Sequence, residues 1–277
     1  MTLCKYPLLD DFDKLHEEYI EKQASIKSIA RSLECNPTTV RYHLRRHNIP
    51  LRDKKTRRDL QINSRENHLI LDKSVIEGGL LGDGCMVLSR GKGSLSDPYY
   101  KRKNKFRDHV RWVGELLYGE FAEERVKCGA NGFNIKGEPL ENYYFRTLTH
   151  SELRPIYDRW YPDSNGQNKI VPKDFVLDSV SLLHWFLDDG YSTQRRKESV
   201  TKQIVVGFAT DSFSYTELEY LCQQMLDLWK LRFRIVKHGI NKEGNQKYQL
   251  YLVQSQADLF FSIIGPPPVP SLAYKWK

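Results

Sequence analysis

The feature that most constrains this chain is an internal duplication. VIEGGLLGDG (75–84) and SLLHWFLDDG (181–190) are both apolar and helix-like, and both end in an acidic residue followed by glycine. The two acid–glycine pairs begin at Asp83 and Asp189, 106 positions apart. The same order of elements follows each. After the first, CMVLSRG and DPYYKRK read as strands, RDHVRWVGELLYGEF as a helix, ERVKCG and NYYFRTLTH as strands, and SELRPIYDRWY as a helix. After the second come strands GYSTQRR and KQIVVGFATD, helix SYTELEYLCQQMLDLWK, strands FRIVKHG and QKYQLYLVQ, and helix QADLFFSIIG. Each half therefore reads αββαββα. Paired strands followed by helices predict a twisted antiparallel sheet with helices on one face.

The acidic ends of the two motifs carry the chemistry. A carboxylate in the last turn of a helix meets the negative end of the helix dipole and is disfavoured there. Gly84 and Gly190 follow as expected stop residues, which leaves a carboxylate at each helix tip. Gly78, Gly79 and Gly82 strip side chains from the first helix and permit close approach by the second, where His184, Trp185 and Asp188 stand at matching places. Side-by-side packing would bring Asp83 and Asp189 together. Two nearby carboxylates raise each other's pKa. A divalent cation relieves the repulsion, and sparse oxygen ligands with room for water suit Mg²⁺ or Mn²⁺. Gly82 and Asp188 stand beside the two acids as further candidate ligands. Asp188 has an alternative reading as a hydrogen-bonding group across the helix pair. His184 and Trp185 read as packing groups, and Glu77 as solvated or interfacial.

Charge points to a polyanionic partner. The 277-residue chain has 43 basic and 35 acidic residues, a net charge of +8. Eight basic residues fall between Arg41 and Arg58, opposed only by Asp53. Clustered cations release counterions when they meet phosphates. The five cysteines are scattered without a C-x-x-C pair, which argues against a zinc ribbon or a disulfide framework and for a reducing compartment. No apolar run reaches membrane-span length, and the N-terminus lacks a signal-type apolar core, so an intracellular, cytoplasmic protein with no membrane association is expected.

Before the duplication, Asp11–Glu21 reads as an amphipathic helix. Ile26, Ile29, Ala30 and Leu33 recur at helical spacing, Glu34-Cys35-Asn36 makes a turn, and Asn36 caps a further helix with Pro37 at its first position. SIKSIARSLECNPTTVRYHLRRHNI resembles the helix-turn-helix family over about forty residues. In that family the second helix enters the major groove. The resemblance assigns DNA contact to Thr38, Thr39, Arg41, Tyr42, Arg45 and Arg46. The competing reading is a protein-binding three-helix bundle, which the basic outer face disfavours. The polar, basic linker adds Arg52, Lys54, Lys55, Arg57 and Arg58; as sequence it fits an extended phosphate-contacting strand or a short helix.

The motifs IEGGLLGDG and LLHWFLDDG resemble the two LAGLIDADG motifs of monomeric homing endonucleases, over residues 75–277. That resemblance implies an α/β (strictly α+β) fold: two pseudo-symmetric αββαββα repeats forming a DNA-binding saddle, preceded by a small all-α helix-turn-helix domain. The expected divisions are 1–50 for the helix-turn-helix domain, 51–74 for the basic linker, 75–175 for the first repeat and 176–277 for the second. The resemblance implies that Asp83 and Asp189 bind catalytic metal ions. RWYPDSNGQNKIVP (159–172) and VPSLAYKWK (269–277) resemble the segments that close the two family repeats, whose lysines lie near the scissile phosphates. Lys169 and Lys275 are the matching residues, with surface cations as the alternative reading. Where the family often has a water-ordering Gln, this chain has Asp211, which reads as a helix cap.

The sheets are then the expected DNA-binding face, since a two-stranded ribbon fits the major groove. Candidate contacts there are Arg90, Lys92, Lys101, Lys103, Lys105 and Arg146 in the first half. Arg195, Arg196, Lys202, Arg234, Lys237 and Lys247 are those of the second, and Arg102 stands among the same strand residues. The implied function is metal-dependent hydrolysis of both strands of a long, asymmetric duplex DNA site by a monomer. Two alternatives remain: a DNA-binding regulator of the same fold without nuclease activity, and an RNA-splicing maturase with intron RNA as partner.

Overall fold

The computed structural model describes residues 6–53, 56, 69–88, 97–133, 139–163, 168–195, 203–241 and 244–276. The chain forms two compact units, Met1–Asn67 and His68–Lys277.

The first unit is helical where described: α1 (Pro7–Asp10), α2 (Phe12–His16) running into a wider turn over Glu17–Glu21, α3 (Ile26–Ser32) and α4 (Pro37–Arg46). The helix expected over Asp11–Glu21 is present: Asp11 caps it, and it stays helical while its last stretch, Glu17–Glu21, widens to π-type turns. Asn36 caps α4 by accepting from the Thr38 N–H, and Ser25 caps α3 through the Ser28 N–H. Leu9, Leu15, Tyr19, Ile29, Ala30, Val40, Leu44 and Ile49 form a separate core.

The second unit holds both repeats around one continuous apolar core. The first comprises α5 (Lys73–Leu81), β1 (Cys85–Leu88), β2 (Pro98–Asn104), α6 (Arg107–Tyr118), β3 (Val126–Phe133), β4 (Pro139–Arg146) and α7 (Arg154–Trp160). The second comprises α8 (Ser179–Asp189), β5 (Gly190–Arg195), β6 (Gln203–Ala209), α9 (Tyr215–Trp229), β7 (Phe233–Ile240), β8 (Gln246–Leu252) and α10 (Ala257–Ile264). The two antiparallel sheets have matching strand orders, β1-β2-β4-β3 and β5-β6-β8-β7. The αββαββα reading therefore holds in both halves.

Strand alternation sorts the side chains. In β2, Tyr100 and Arg102 turn into the core while Lys101 and Lys103 stay partly exposed. Phe145 and Phe208 occupy inward positions in their sheets. Among the described residues no helix is long and apolar enough to cross a membrane.

Two sequence expectations change. Gly190 does close α8 as its C-cap, but α5 is closed by Gly82 rather than Gly84, and both caps have negative φ rather than a left-handed conformation. Glycine is needed for space instead, because a Cβ on Gly84 would lie 2.5 Å from the Gly79 carbonyl oxygen and one on Gly190 2.5 Å from that of Phe186. Asp211 is not the cap of α9. Ser214 is, in a capping box with Glu217, while Asp211 pairs with Lys247 and His238 on the sheet surface, contacts that lower its pKa against the opposing effect of burial.

Candidate active site

The two motif helices run side by side in the same direction. At their N-termini the Ser74 hydroxyl donates to Asp178, the residue that caps α8 in a capping box. Midway, a Cβ on Gly78 would fall 2.5 Å from Ser181 Cα and 3.0 Å from His184 Cβ. Near the C-termini, a Cβ on Gly82 would fall 2.5 Å from Asp188 Cβ. Glycines on α5 therefore bring the two backbones together along their length and place both acidic tips at one end. Asp189 is the last residue of α8, and Asp83 sits in the turn just past α5.

Asp83 is exposed and Asp189 partly buried. Burial, then the neighbouring charges of Asp188 and Asp83, push the Asp189 carboxyl up to about 7, against the pull of Lys169 and Lys275. Asp83 thus lies close enough for its charge to bear on Asp189.

Each repeat supplies one lysine to the end of its own motif helix. Lys169 Nζ donates to the Gly82 carbonyl at 2.8 Å and to that of Gly84 at 3.2 Å. Lys275 Nζ donates to the carbonyls of Phe186, Leu187 and Asp188 at 3.1, 2.7 and 3.1 Å. Both complete C-terminal carbonyls that the helices leave unpaired. Burial holds both ammonium groups below the ordinary lysine pKa of 10.5, Lys275 down to about 8, while the surrounding carboxylates oppose the shift. Neither is a free surface cation.

Asp188 is not available as a metal ligand. Its side chain is fully buried, its Oδ1 accepts from Arg102 Nη2 at 2.7 Å, and its Oδ2 accepts from the Asp83 backbone N–H at 3.0 Å. The Gly82 carbonyl lies at the site with one lone pair engaged by Lys169. Arg102 belongs to this interior network rather than to the outer sheet face, donating also to His184 Nδ1 and the His184 carbonyl. Alternation along PYYKRKN was the available signal, since a strand that turns Lys101 and Lys103 outward must turn Arg102 in. His184 packs flat against Trp112, with ring centroids 4.9 Å apart, and Trp185 is buried against Phe208. Glu77 is neither solvated nor between repeats: it is buried and accepts from Arg159 at 2.6 Å and from the Trp160 indole at 3.0 Å.

Beside Asp83 lies an open cleft of about 460 Å³, lined in part by Lys103, Lys105, Tyr274 and Lys275. Lys101 and Arg146, paired across β2 and β4, sit over the rings of Tyr144 and Tyr99. In the second sheet Arg234 and Lys237 are exposed, whereas Lys247 is taken up by Asp211. In the helical unit Thr38, Arg41, Tyr42 and Arg45 are exposed and Thr39 is half-buried; Arg46, exposed too, pairs with Asp10 at 3.3 Å. Arg52 is used internally, stacking 4.0 Å over the Tyr19 ring and donating to the carbonyls of Gln23 and Ala24. Lys54, Lys55, Arg57, Arg58, Arg90, Lys92, Arg196 and Lys202 lie outside the described residues, as does the Arg195 side chain.

Two αββαββα repeats joined along paired helices, the first glycine-faced, with an acid at the tip of each and a lysine on each helix end, define the two-motif endonuclease architecture. Residues 73–260 match the sequence model of the LAGLIDADG DNA endonuclease family, and the chain belongs to that family. It is 27% identical over 265 residues to the uncharacterized protein MJ1098 of Methanocaldococcus jannaschii, covering 94% of each chain. It is 24% identical over 208 residues to the cytochrome b mRNA maturase bI2 of Saccharomyces cerevisiae, covering 73% of this chain and 46% of that protein. Its fold is that of the homing endonuclease I-WcaI, solved bound to its DNA recognition sequence, with a TM-score of 0.59 at 19% identity over 82% of this chain and 94% of that one.

Proposed function

We propose that this chain is a homing endonuclease that cleaves both strands of a long, asymmetric duplex DNA site with the help of divalent metal ions held by Asp83 and Asp189. The observation that carries this reading is that two acids far apart in sequence stand at the paired C-terminal ends of two helices, where the charge of one bears on the other. A protein gains no stability by raising a half-buried carboxyl to about 7 beside two other acids. Such groups concentrate where function needs them.

The residues fit a hard divalent cation. The donors are carboxylate oxygens, and Asp83 is exposed to solvent and substrate. Among the described residues no cluster of three or more His, Cys, Asp or Glu side chains encloses a metal site. An open two-carboxylate site leaves the remaining positions to water and phosphate oxygens, as Mg²⁺ favours. A bound cation would lower the pKa of a coordinated water and stabilise charge on the phosphate. The chain's own part is positional and electrostatic. Asp83 and Asp189 hold the negative charge that attracts cation and excludes bare phosphate, and Lys169 and Lys275 supply fixed positive charge where the phosphorane-like charge develops.

The partly exposed cations of both sheets, Lys101, Lys103, Arg146, Arg234 and Lys237, would lie along the groove and contact phosphates and base edges. Exposed Thr38, Arg41, Tyr42 and Arg45 on α4 would extend the footprint through the N-terminal unit. The two repeats differ at most positions, so the target should be only roughly palindromic.

The test is incubation of the full chain with plasmid carrying the DNA that flanks its gene, with Mg²⁺ or with chelator. Linear product with Mg²⁺, none with chelator, and none from Asp83→Asn or Asp189→Asn despite retained DNA binding is the expected result. Cleavage that survives both substitutions refutes the assignment. A metal-independent binder of spliced RNA that never cuts DNA would point instead to the maturase activity named for one relative.

A further inference from the structure

We infer that the buried Arg102–Asp188 ion pair is a positioning brace that fixes the spacing of the two acids for metal capture. This rests on reading Asp83 and Asp189 as the metal site.

The geometry links three elements through one carboxylate. Asp188 accepts from Arg102, on a strand of the first repeat, and from the backbone N–H of Asp83, just past that repeat's motif helix. It is also the covalent neighbour of Asp189. One side chain therefore ties the backbone of the first acid to the backbone of the second. Arg102 is itself fixed, through His184 Nδ1 at 3.0 Å and the His184 carbonyl at 3.1 Å. All of these hydrogen bonds run between the two repeats.

The duplication shows that this arrangement is a departure from the fold's simpler solution. Gly82 and Asp188 occupy equivalent places, one residue before each acid. Cys85 pairs with Lys101 and Gly190 with Phe208, so Arg102 and Phe208 are also equivalents. Phe208 fills its place with apolar packing against Trp185, Phe186, Phe233 and Phe260. The first repeat instead buries a guanidinium at 0% exposure. Desolvation opposes that charge most strongly, but Asp188 and Tyr100 together more than offset it, so the guanidinium pKa is raised. A buried ion pair is a poor source of stability compared with apolar packing of the same volume. What it does supply is direction: a planar fork and a carboxylate have one good relative geometry, whereas Phe and Leu slide. The asymmetry also anchors the backbone of Asp83, which sits in a turn, as the helix anchors that of Asp189.

The experiment separates positioning from folding. In the charge-neutral double variant Arg102→Met/Asp188→Leu the pair is replaced by apolar groups of similar size, which a buried site tolerates. Full-length parent and variant are compared by thermal unfolding, by Mn²⁺ binding followed by electron paramagnetic resonance, and by the Mg²⁺ dependence of cleavage of the same plasmid. The expected outcome is an unfolding midpoint within a few degrees of the parent, unchanged DNA retention in chelator, and a loss of Mn²⁺ affinity on the order of 10–100-fold with a matching rise in the Mg²⁺ needed. Arg102→Lys, which keeps charge but not the fork, should recover part of the affinity, and it carries the test should the double variant not fold. Mn²⁺ affinity like the parent's in the folded variants overturns the brace. Parent-like Mn²⁺ binding and cleavage by Asp83→Asn and Asp189→Asn would instead overturn the metal site itself. Loss in those two with full retention in the double variant would overturn the brace alone.

Discussion

Gly78 and Ser181 face each other across the motif helices with so little space that a Cβ on the glycine would lie 2.5 Å from the serine Cα and 2.6 Å from its carbonyl oxygen. Both neighbours are backbone atoms of a helix and cannot swing aside. Gly78→Ala should therefore force the helices apart. Helix propensity favours alanine by about 1 kcal/mol, but overpacking should cost about 1–3 kcal/mol. The expected result is a lower unfolding midpoint and a disproportionate loss of cleavage, because the acids at the far ends separate. Thermal unfolding alongside plasmid cleavage reads both. A more stable variant with normal cleavage would show that the crossing is looser than described.

The Asp189 carboxyl, raised from 3.8 to about 7, makes its own stability prediction. An acid whose pKa is higher in the folded state binds more protons folded than unfolded between those values. Stability contributed by this group is thus lost as pH rises from about 4 towards 7, and the full cost applies above 7. Asp189→Asn removes that cost. In chelator at pH 8 the variant should be more stable than the parent, by up to about 4 kcal/mol for a shift of this size, and the advantage should shrink as pH falls through 7. Saturating Mg²⁺ should shrink it too, by stabilising the parent alone. Denaturant unfolding at pH 5 and pH 8 provides the measurement.

Lys275 is almost fully buried and donates to three successive carbonyls at the end of α8, whereas Lys169 keeps somewhat more exposure and donates to two. Lys275→Met leaves those buried carbonyls short of a charged donor, a loss of about 1–3 kcal/mol. Lys169→Met should cost less stability, since water can replace part of what it supplies. Both should slow cleavage. Comparing unfolding midpoints with single-turnover cleavage rates distinguishes the two, and equal destabilisation by the two substitutions would contradict the difference in burial.

The helical unit has its own apolar core and its own exposed basic helix. Removal of residues 1–67 should leave His68–Lys277 folded and able to cleave. Duplex affinity should fall, and the slope of log affinity against log salt should flatten as phosphate contacts are lost. Affinity measured at several salt concentrations tests this. An unchanged slope would mean that the N-terminal unit does not touch DNA.

Much of the unit carrying the duplication was legible in the sequence. The repeated αββαββα order came through because strand alternation and helical periodicity are local, and two copies of the same pattern corroborate each other. Gly78 and Gly82 pointed to a close helix pair for a local reason as well, missing side chains defining a surface, whereas Gly79 makes room for Tyr100 and Arg102 of β2 instead. Capping by Asn36 was equally visible, because the capping residue and the N–H it receives are neighbours in the chain.

Alternation could set Arg102 apart from its neighbours, but the sequence could not decide which partner each charged side chain would find. Arg102 and Lys103 are adjacent and both basic, yet one is buried against Asp188 and the other lines a cleft. Asp188 and Asp189 are adjacent and both acidic, yet one is consumed in a fully buried ion pair and the other stays partly exposed with its pKa raised. Arg52, Glu77 and Lys247 likewise found partners 28 to 82 positions away. The sequence by itself determined the repeated elements and the two motifs, because those depend on residues close together along the chain. Only the tertiary structure decided the roles of individual charges, because the free energy of a charge depends on its burial and on partners that folding alone brings within reach.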